Sequence, residues 1–204
     1  MVREVYYDEV FDAQRHFRSL LDSMARPGKI NHLDPVRLDP PPGLNAASVL
    51  VAFALLDATS TFHTVQMDRG EGSYLTSNTG SRHTEIEDAQ FLFVNGDGSA
   101  DFLDLANCGD LLYPDTAGTV VLQVVQATSE PLTQALKLKL EGPGIDRLTT
   151  LFVRGLSADI LLALQARNVE FPLGLDSILT FVDAENRPCV ASLPRTTRVS
   201  WENC

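Results

Sequence analysis

Lysine is the scarce residue of this chain: three occur (Lys29, Lys137 and Lys139), against thirteen arginines. A lysine that is to form a Schiff base must sit desolvated beside activating groups. Lys137 and Lys139 alternate with leucines and should face water, and Lys29 follows a turn, so none of the three is well placed for that task. Positive charge is short overall. A formal charge of −11 argues against nucleic acid as a partner, because neutralising phosphates requires clustered Lys and Arg. Cysteine is sparse as well. Cys108, Cys189 and Cys204 are odd in number, far apart and outside any Cys-x-x-Cys pair, which points to neither a disulfide framework nor a zinc site. A reduced cytoplasm fits that usage. No apolar run is long enough to span a bilayer. The stretch 1–8 carries Arg3, Glu4 and Asp8 and lacks the apolar segment of a signal peptide. No internal repeat, nucleophile elbow, His-Glu-x-x-His, acidic metal cluster or P-loop occurs.

What remains is an ordinary globular composition. Hydrophobic residues make up 44% and charged residues 21%, and 204 residues suffice for one domain with a real core, taken as 1–204. A helix is predicted over 10–24, with Asp12 as a plausible cap and Phe17, Leu20, Leu21 and Met24 at helical spacing. Arg26-Pro27-Gly28 ends it, and 29–33 alternates like a short strand. His16 and His32 read as surface or half-buried residues without ligand-like neighbours. The four prolines in 34–43 make that segment an irregular connection. The segment 45–56 is apolar almost all round, a buried helix capped by Asn45. A strand over 61–65 carries His63, read as a satisfied core or edge histidine. A turn at 68–72 and a short strand at 74–76 follow. The loop 79–83 has the Gly, hydroxyls, Arg and His of an oxyanion site but no flanking strand–helix frame, so it reads as a solvated loop. Strands are predicted at 90–94, 119–125 and 136–140, with a short helix at 101–106. The turn 141–145 lacks one donor at Pro143 and matches no nucleotide fingerprint. Ser157 caps a helix running to about Arg167.

The stretch from Phe171 to Thr197 organises the rest. Residues 177–182 are apolar on both alternating faces, the pattern of a strand covered on both sides. A polar turn at 183–187 returns the chain through 189–193 as an antiparallel partner. Pro194 cannot donate to the ladder, so pairing stops and Arg195-Thr196-Thr197 lies just beyond the strand end. Gly174 supplies a positive φ or room for a close approach. An arginine followed by two hydroxyls suits a carboxylate or phosphate oxygen. The competing structural reading has Arg195 pairing with Asp176 or capping carbonyls to fix the hairpin, and the residues alone favour it.

Four segments together resemble the PhnH family of the bacterial carbon–phosphorus lyase system, which serves phosphonate catabolism. They are Asp12-Ala13-Gln14 with Phe17-Arg18, Leu20-Leu21 and Met24 through Pro27-Gly28; Gly142-Pro143-Gly144-Ile145; Phe171-Pro172-Leu173-Gly174-Leu175-Asp176 with Ile178-Leu179; and Pro194-Arg195-Thr196-Thr197. The resemblance implies a single α/β domain whose mixed central sheet is covered by helices, similar to the fold of pyridoxal-phosphate-dependent transferases without the cofactor. It also implies an accessory subunit, not catalytic alone, of the ribose 1-methylphosphonate 5-triphosphate synthase. That subunit would form homodimers in isolation and join subunits G, I and J. In the assembled complex a phosphonate or nucleotide would be a further ligand. Gly174, Asp176, Arg195, Thr196 and Thr197 match the family motif and are the candidates for a substrate cleft or interface. No catalytic, cofactor or metal residue is carried over. The acidic middle of the chain and its Trp201-Glu202-Asn203-Cys204 end depart from the family pattern. The alternatives from the residues are a small-anion-binding protein centred on Arg195 and a stand-alone pyridoxal-type transferase.

Overall fold

The computed structural model describes residues 6–204; most of the stretch read as free of a signal peptide, residues 1–5, lies outside them. The chain runs through α1 (Phe11–Ala25), β1 (Asn31–His32), α2 (Ala46–Leu55), β2 (Thr61–Thr64), α3 (Arg69–Thr79), β3 (Arg82–His83), β4 (Phe91–Asn95) and β5 (Thr119–Gln123). It continues through β6 (Gln126–Thr128), β7 (Leu136–Glu141), β8 (Thr149–Arg154), α4 (Ala158–Arg167), β9 (Asp176–Val182), β10 (Pro188–Leu193) and β11 (Arg198–Asn203). A mixed seven-stranded sheet has the order β1-β10-β9-β5-β4-β2-β3, and a four-stranded sheet has the order β11-β7-β8-β6. In the larger sheet β9, β5, β4, β2 and β3 are parallel, while β10 and β1 close one side antiparallel. The smaller sheet is antiparallel throughout.

Strand periodicity sorts the core into two layers. Phe62, Phe93, Val121, Ile178 and Val190 face α1 and α2, where they meet Leu20, Val49 and Leu50. Their neighbours Leu92, Val94, Val120, Leu122, Leu179, Phe181 and Ala191 point the other way, onto Leu138, Leu140, Leu151 and Val153 of the small sheet and Ile160, Leu161 and Leu164 of α4. The central strands are covered on both faces, as their unbroken apolar runs require.

Caps fix the helix starts. Asn45 Oδ1 accepts from Ser48 N at 2.8 Å and Ser157 Oγ from Asp159 N at 3.2 Å, the two caps expected. At α1 the expectation of Asp12 is corrected: Asp8 Oδ1 accepts from the amides of Val10 and Phe11, while Asp12 reaches back to the amide of Asp8 at 2.9 Å. The expected strand at 74–76 lies inside α3, because Leu75 is fully buried on that helix's inner face. His16 is also corrected. It is fully buried, its Nε2 donating to the carbonyl of Asp34 at 2.9 Å and its Nδ1 accepting from the Tyr7 hydroxyl at 3.3 Å. Residues 101–106 form only a single 3₁₀ turn (Asp101–Asp104). The chain end, read as a tail, is β11. No helix among the described residues is long and apolar enough to cross a membrane.

Candidate functional site

The four segments that carry the family resemblance are distant in sequence and adjacent in space. The end of α1 and the turn after it are fastened to β10 by Ser23 Oγ donating to Ser192 Oγ at 2.7 Å and by Gly28 N donating to the Ser192 carbonyl at 3.1 Å. The 142–145 turn packs onto the same place. Gly144 has φ +80°, and a Cβ there would lie 2.2 Å from the carbonyl oxygen of Ala25, so the α1 end approaches its backbone directly. The next strand pairing, Arg198 with Glu141, brings Thr196-Thr197 beside Gly142-Pro143.

The Phe171–Asp176 segment is joined to Pro194–Thr197 through one guanidinium. Arg195 donates to Asp176 Oδ2 from Nη2 at 2.7 Å and from Nε at 3.2 Å. Its Nη1 donates to the carbonyls of Pro114 (3.1 Å) and Pro172 (3.2 Å), and its backbone amide to Asp176 Oδ1 (2.8 Å). Side-chain exposure is only 14% for Arg195 and 20% for Asp176, so the pair is largely withdrawn from water. Four of the five guanidinium N–H donors can be satisfied by these contacts. Arg195 therefore clamps three backbone segments, with one guanidinium N–H left over at the cleft it lines. Gly174 sits behind this clamp with φ +128°, where a Cβ would meet Asn168 Oδ1 at 2.4 Å. Asn168 grips the next peptide by accepting from Leu175 N (2.7 Å) and donating to Leu175 O (3.1 Å). The Phe171–Pro172 peptide is cis.

In front of these segments lies an open cleft of about 840 Å³ between the two sheets. Leu164 and Gln165 of α4 with Asn168 and Val169 just after it form one wall, Lys139 and Glu141 of β7 another, and Leu193 through Ser200 the floor. Of the five sequence candidates, Arg195, Thr196 and Thr197 line it, while Gly174 and Asp176 support it from behind. Thr197 Oγ1 is buried there without a hydrogen-bond partner among the described residues. Lys139 and Arg198 line the cleft and sequence reasoning did not select them; Lys139 lies 3.7 Å from Glu202. Arg198 belongs to a strand read as a tail, and its side chain makes no hydrogen bond or ion pair among the described residues. The cleft offers hydroxyls and the guanidinium of Arg198 beside the carboxylate of Glu141, a polar lining of mixed charge.

The lysines are all committed to carboxylates: Lys29 to Asp22 at 2.5 Å, and Lys137 to Glu202 at 2.5 Å. Hydrogen bonding to Glu202 raises the Lys137 pKa, which is opposite to what a nucleophilic amine needs. The 79–83 segment is more ordered than a solvated loop. Gly80 closes α3 at φ +73°, the buried Ser81 hydroxyl donates to Ser60 O at 2.9 Å, and His83 lies in β3. His83 Nε2 accepts from the Thr64 hydroxyl at 3.1 Å, and burial followed by the nearby His63 lowers its pKa. His63 donates to the Thr84 carbonyl at 2.6 Å, the satisfied histidine expected. His32 does have ligand-like neighbours. They are Cys189 and Asp183, far away in sequence and brought close by strand pairing.

Residues 4–200 match the family described as bacterial phosphonate metabolism protein (PhnH). The chain is 34% identical over 201 residues to the alpha-D-ribose 1-methylphosphonate 5-triphosphate synthase subunit PhnH of Rhizobium meliloti (strain 1021), covering 97% of this chain and 94% of that protein. It is 28% identical over 191 residues to the putative C-P lyase subunit protein HtxG of Stutzerimonas stutzeri, covering 92% and 85% respectively.

Proposed function

This chain belongs to the PhnH family of bacterial phosphonate metabolism proteins, and from that premise we propose that it is an accessory subunit of a carbon–phosphorus lyase core complex. Within that complex it is needed for making ribose 1-phosphonate 5-triphosphate from ATP and a phosphonate. It works there as one cytoplasmic α/β domain over 1–204, similar in fold to pyridoxal-phosphate-dependent transferases and without their cofactor. It forms a homodimer in isolation and joins subunits G, I and J on assembly.

The observation that supports assembly over stand-alone chemistry is the apolar rim beside the cleft. Leu112 is 84% exposed, Phe171 70% and Tyr113 62%, with Leu111 and Val169 also in water. The Arg195 clamp holds the carbonyls of Pro114 and Pro172 together, so the loop carrying Tyr113 and the segment carrying Phe171 are neighbours. Large apolar side chains grouped in this way mark a protein interaction surface. The cleft lining contains no nucleophile hydrogen-bonded to a base among the described residues, so the lining itself favours recognition or shaping of a polar ligand over bond-breaking.

Coexpression with subunits G, I and J tests the reading. The chain should copurify with them, and Leu112→Asp combined with Phe171→Asp should abolish capture while leaving the circular dichroism unchanged. A folded wild-type chain that captures none of the three would contradict it.

A further inference from the structure

At the far end of the β9–β10 hairpin from the cleft, three unlike donor atoms converge from three segments. His32 ends the edge strand β1 and pairs in register with Cys189 of β10, while Asp183 opens the hairpin turn. His32 Nδ1 lies 3.2 Å from Cys189 Sγ and 3.7 Å from Asp183 Oδ2. All three donor atoms fall within 4.8 Å of one another. Tetrahedral zinc, with bonds of about 2.0–2.3 Å, needs ligand–ligand separations of roughly 3.3–3.6 Å. Two of the three sides of this triangle, 3.2 and 3.7 Å, lie within a few tenths of an ångström of that range, and the third, at most 4.8 Å, closes with a small shift of the exposed His32 ring and the Cys189 thiol.

We propose that His32, Asp183 and Cys189 form a binding site for one divalent transition-metal ion of the zinc type, which fastens the edge strand β1 to the β9–β10 hairpin. An imidazole, a carboxylate and a thiolate together suit a borderline-soft cation, and hard cations such as magnesium have no use for the sulfur. His32 is exposed and Cys189 buried, which leaves a fourth position open to water or an external ligand.

The surroundings match a site built for a cation. Asp183 Oδ1 is fixed by the amides of Glu185 (3.0 Å) and Arg187 (2.8 Å), which turns Oδ2 towards His32. Without an ion, burial and the Asp183 carboxylate push the Cys189 thiol up to about 11, so it stays protonated and hydrogen-bonds to His32 Nδ1 or the Arg187 carbonyl. A bound divalent ion reverses that balance: the S–H proton leaves to solvent and the thiolate lone pair bonds the metal. Arg187 is the competitor, with Nη2 and Nε both 2.7 Å from Asp183 Oδ2. Its half-exposed side chain can swing away from the turn when the ion enters.

The test uses the full chain carrying Cys108→Ser and Cys204→Ser, which leaves Cys189 as the single thiol. Titration with cobalt(II) should give one equivalent of binding, a thiolate-to-cobalt charge-transfer band and tetrahedral visible bands, all displaced by zinc. His32→Ala, at an exposed position, should weaken zinc binding roughly 100-fold or more with the circular dichroism unchanged, at least the loss that follows from disturbing a supporting partner of a ligand. Arg187→Ala should tighten it by removing the competing cation. A missing charge-transfer band, or zinc affinity unchanged by His32→Ala, overturns the assignment.

Discussion

Replacing Arg195 should be the most revealing single change, because this one side chain bonds to β9, to the 110–117 loop and to the segment before β9. Arg195→Ala removes two charged hydrogen bonds to Asp176 and two to carbonyls, while the Arg195 backbone amide keeps its bond to Asp176 Oδ1. Each hydrogen bond to a charged group contributes about 1.5–3 kcal/mol, but bonds sharing one guanidinium are far from additive. An exposed ion pair is worth about 0–1 kcal/mol, and breaking a fully buried one costs about 3–5 kcal/mol. Side chains 14% and 20% exposed lie nearer the buried limit, so the loss should be about 3 kcal/mol. For a chain of this size that corresponds to a fall in Tm of about 6–12 °C. Arg195→Lys should recover less than half, because a point-like ammonium cannot reach Asp176, Pro114 and Pro172 at once. Urea unfolding at neutral pH measures the loss, with an unchanged m-value showing that the two-state transition is preserved. A loss under about 0.5 kcal/mol, the size of an ordinary surface substitution, would refute the clamp and return Arg195 to the role of a free anion ligand.

Other perturbations check separate parts of the account. Gly144→Ala should destabilise by about 2–3 kcal/mol, since the residue needs a positive φ and its Cβ would strike the Ala25 carbonyl; thermal unfolding reads this directly. Burial lowers the His16 pKa below its ordinary 6.5. The unfolded chain therefore binds more protons than the native one below that value, and stability falls as pH drops from about 7 to about 5. His83 adds to the same trend. Urea midpoints across that interval should decline, and they should decline less steeply in His83→Gln. Leu112→Asp with Tyr113→Ser should change the unfolding free energy by no more than about 0.5 kcal/mol, while pull-down by subunits G, I and J is lost.

The parts of the fold written in local patterns were readable beforehand. Asn45 and Ser157 announce their helices by capping chemistry, and the leucines and lysines of 136–140 alternate as β7 requires. The unbroken apolar runs of β9 and β10 require cover on both faces, but nothing local names the covering layer. On one face that layer is α1 and α2, and on the other it is the small sheet together with α4. Three of the small sheet's strands were missed: β6 is only three residues long, β8 follows a Gly- and Asp-rich turn, and β11 carries Val199 and Trp201 between exposed polar residues, so it reads as a tail. Tertiary packing also overrode local preference at α3, where Gly70 and Gly72 suggest a turn but burial of Leu75 holds a helix. At the cleft, the Arg195–Asp176 pairing was anticipated as the structural alternative. Lys139 and Arg198 were not, because their position depends on β11 pairing with β7. His32 and Cys189 likewise meet through an edge pairing with no sequence signature.

The central claim is that this subunit contributes to phosphonate processing through its neighbours. The direct measurement is phosphorus NMR of ATP and a simple alkylphosphonate incubated with the purified chain alone, with subunits G, I and J alone, and with all four. A ribose-linked phosphonate should form in the last mixture and in neither of the others. Product from the chain by itself, or an equal yield from G, I and J without it, would contradict the account.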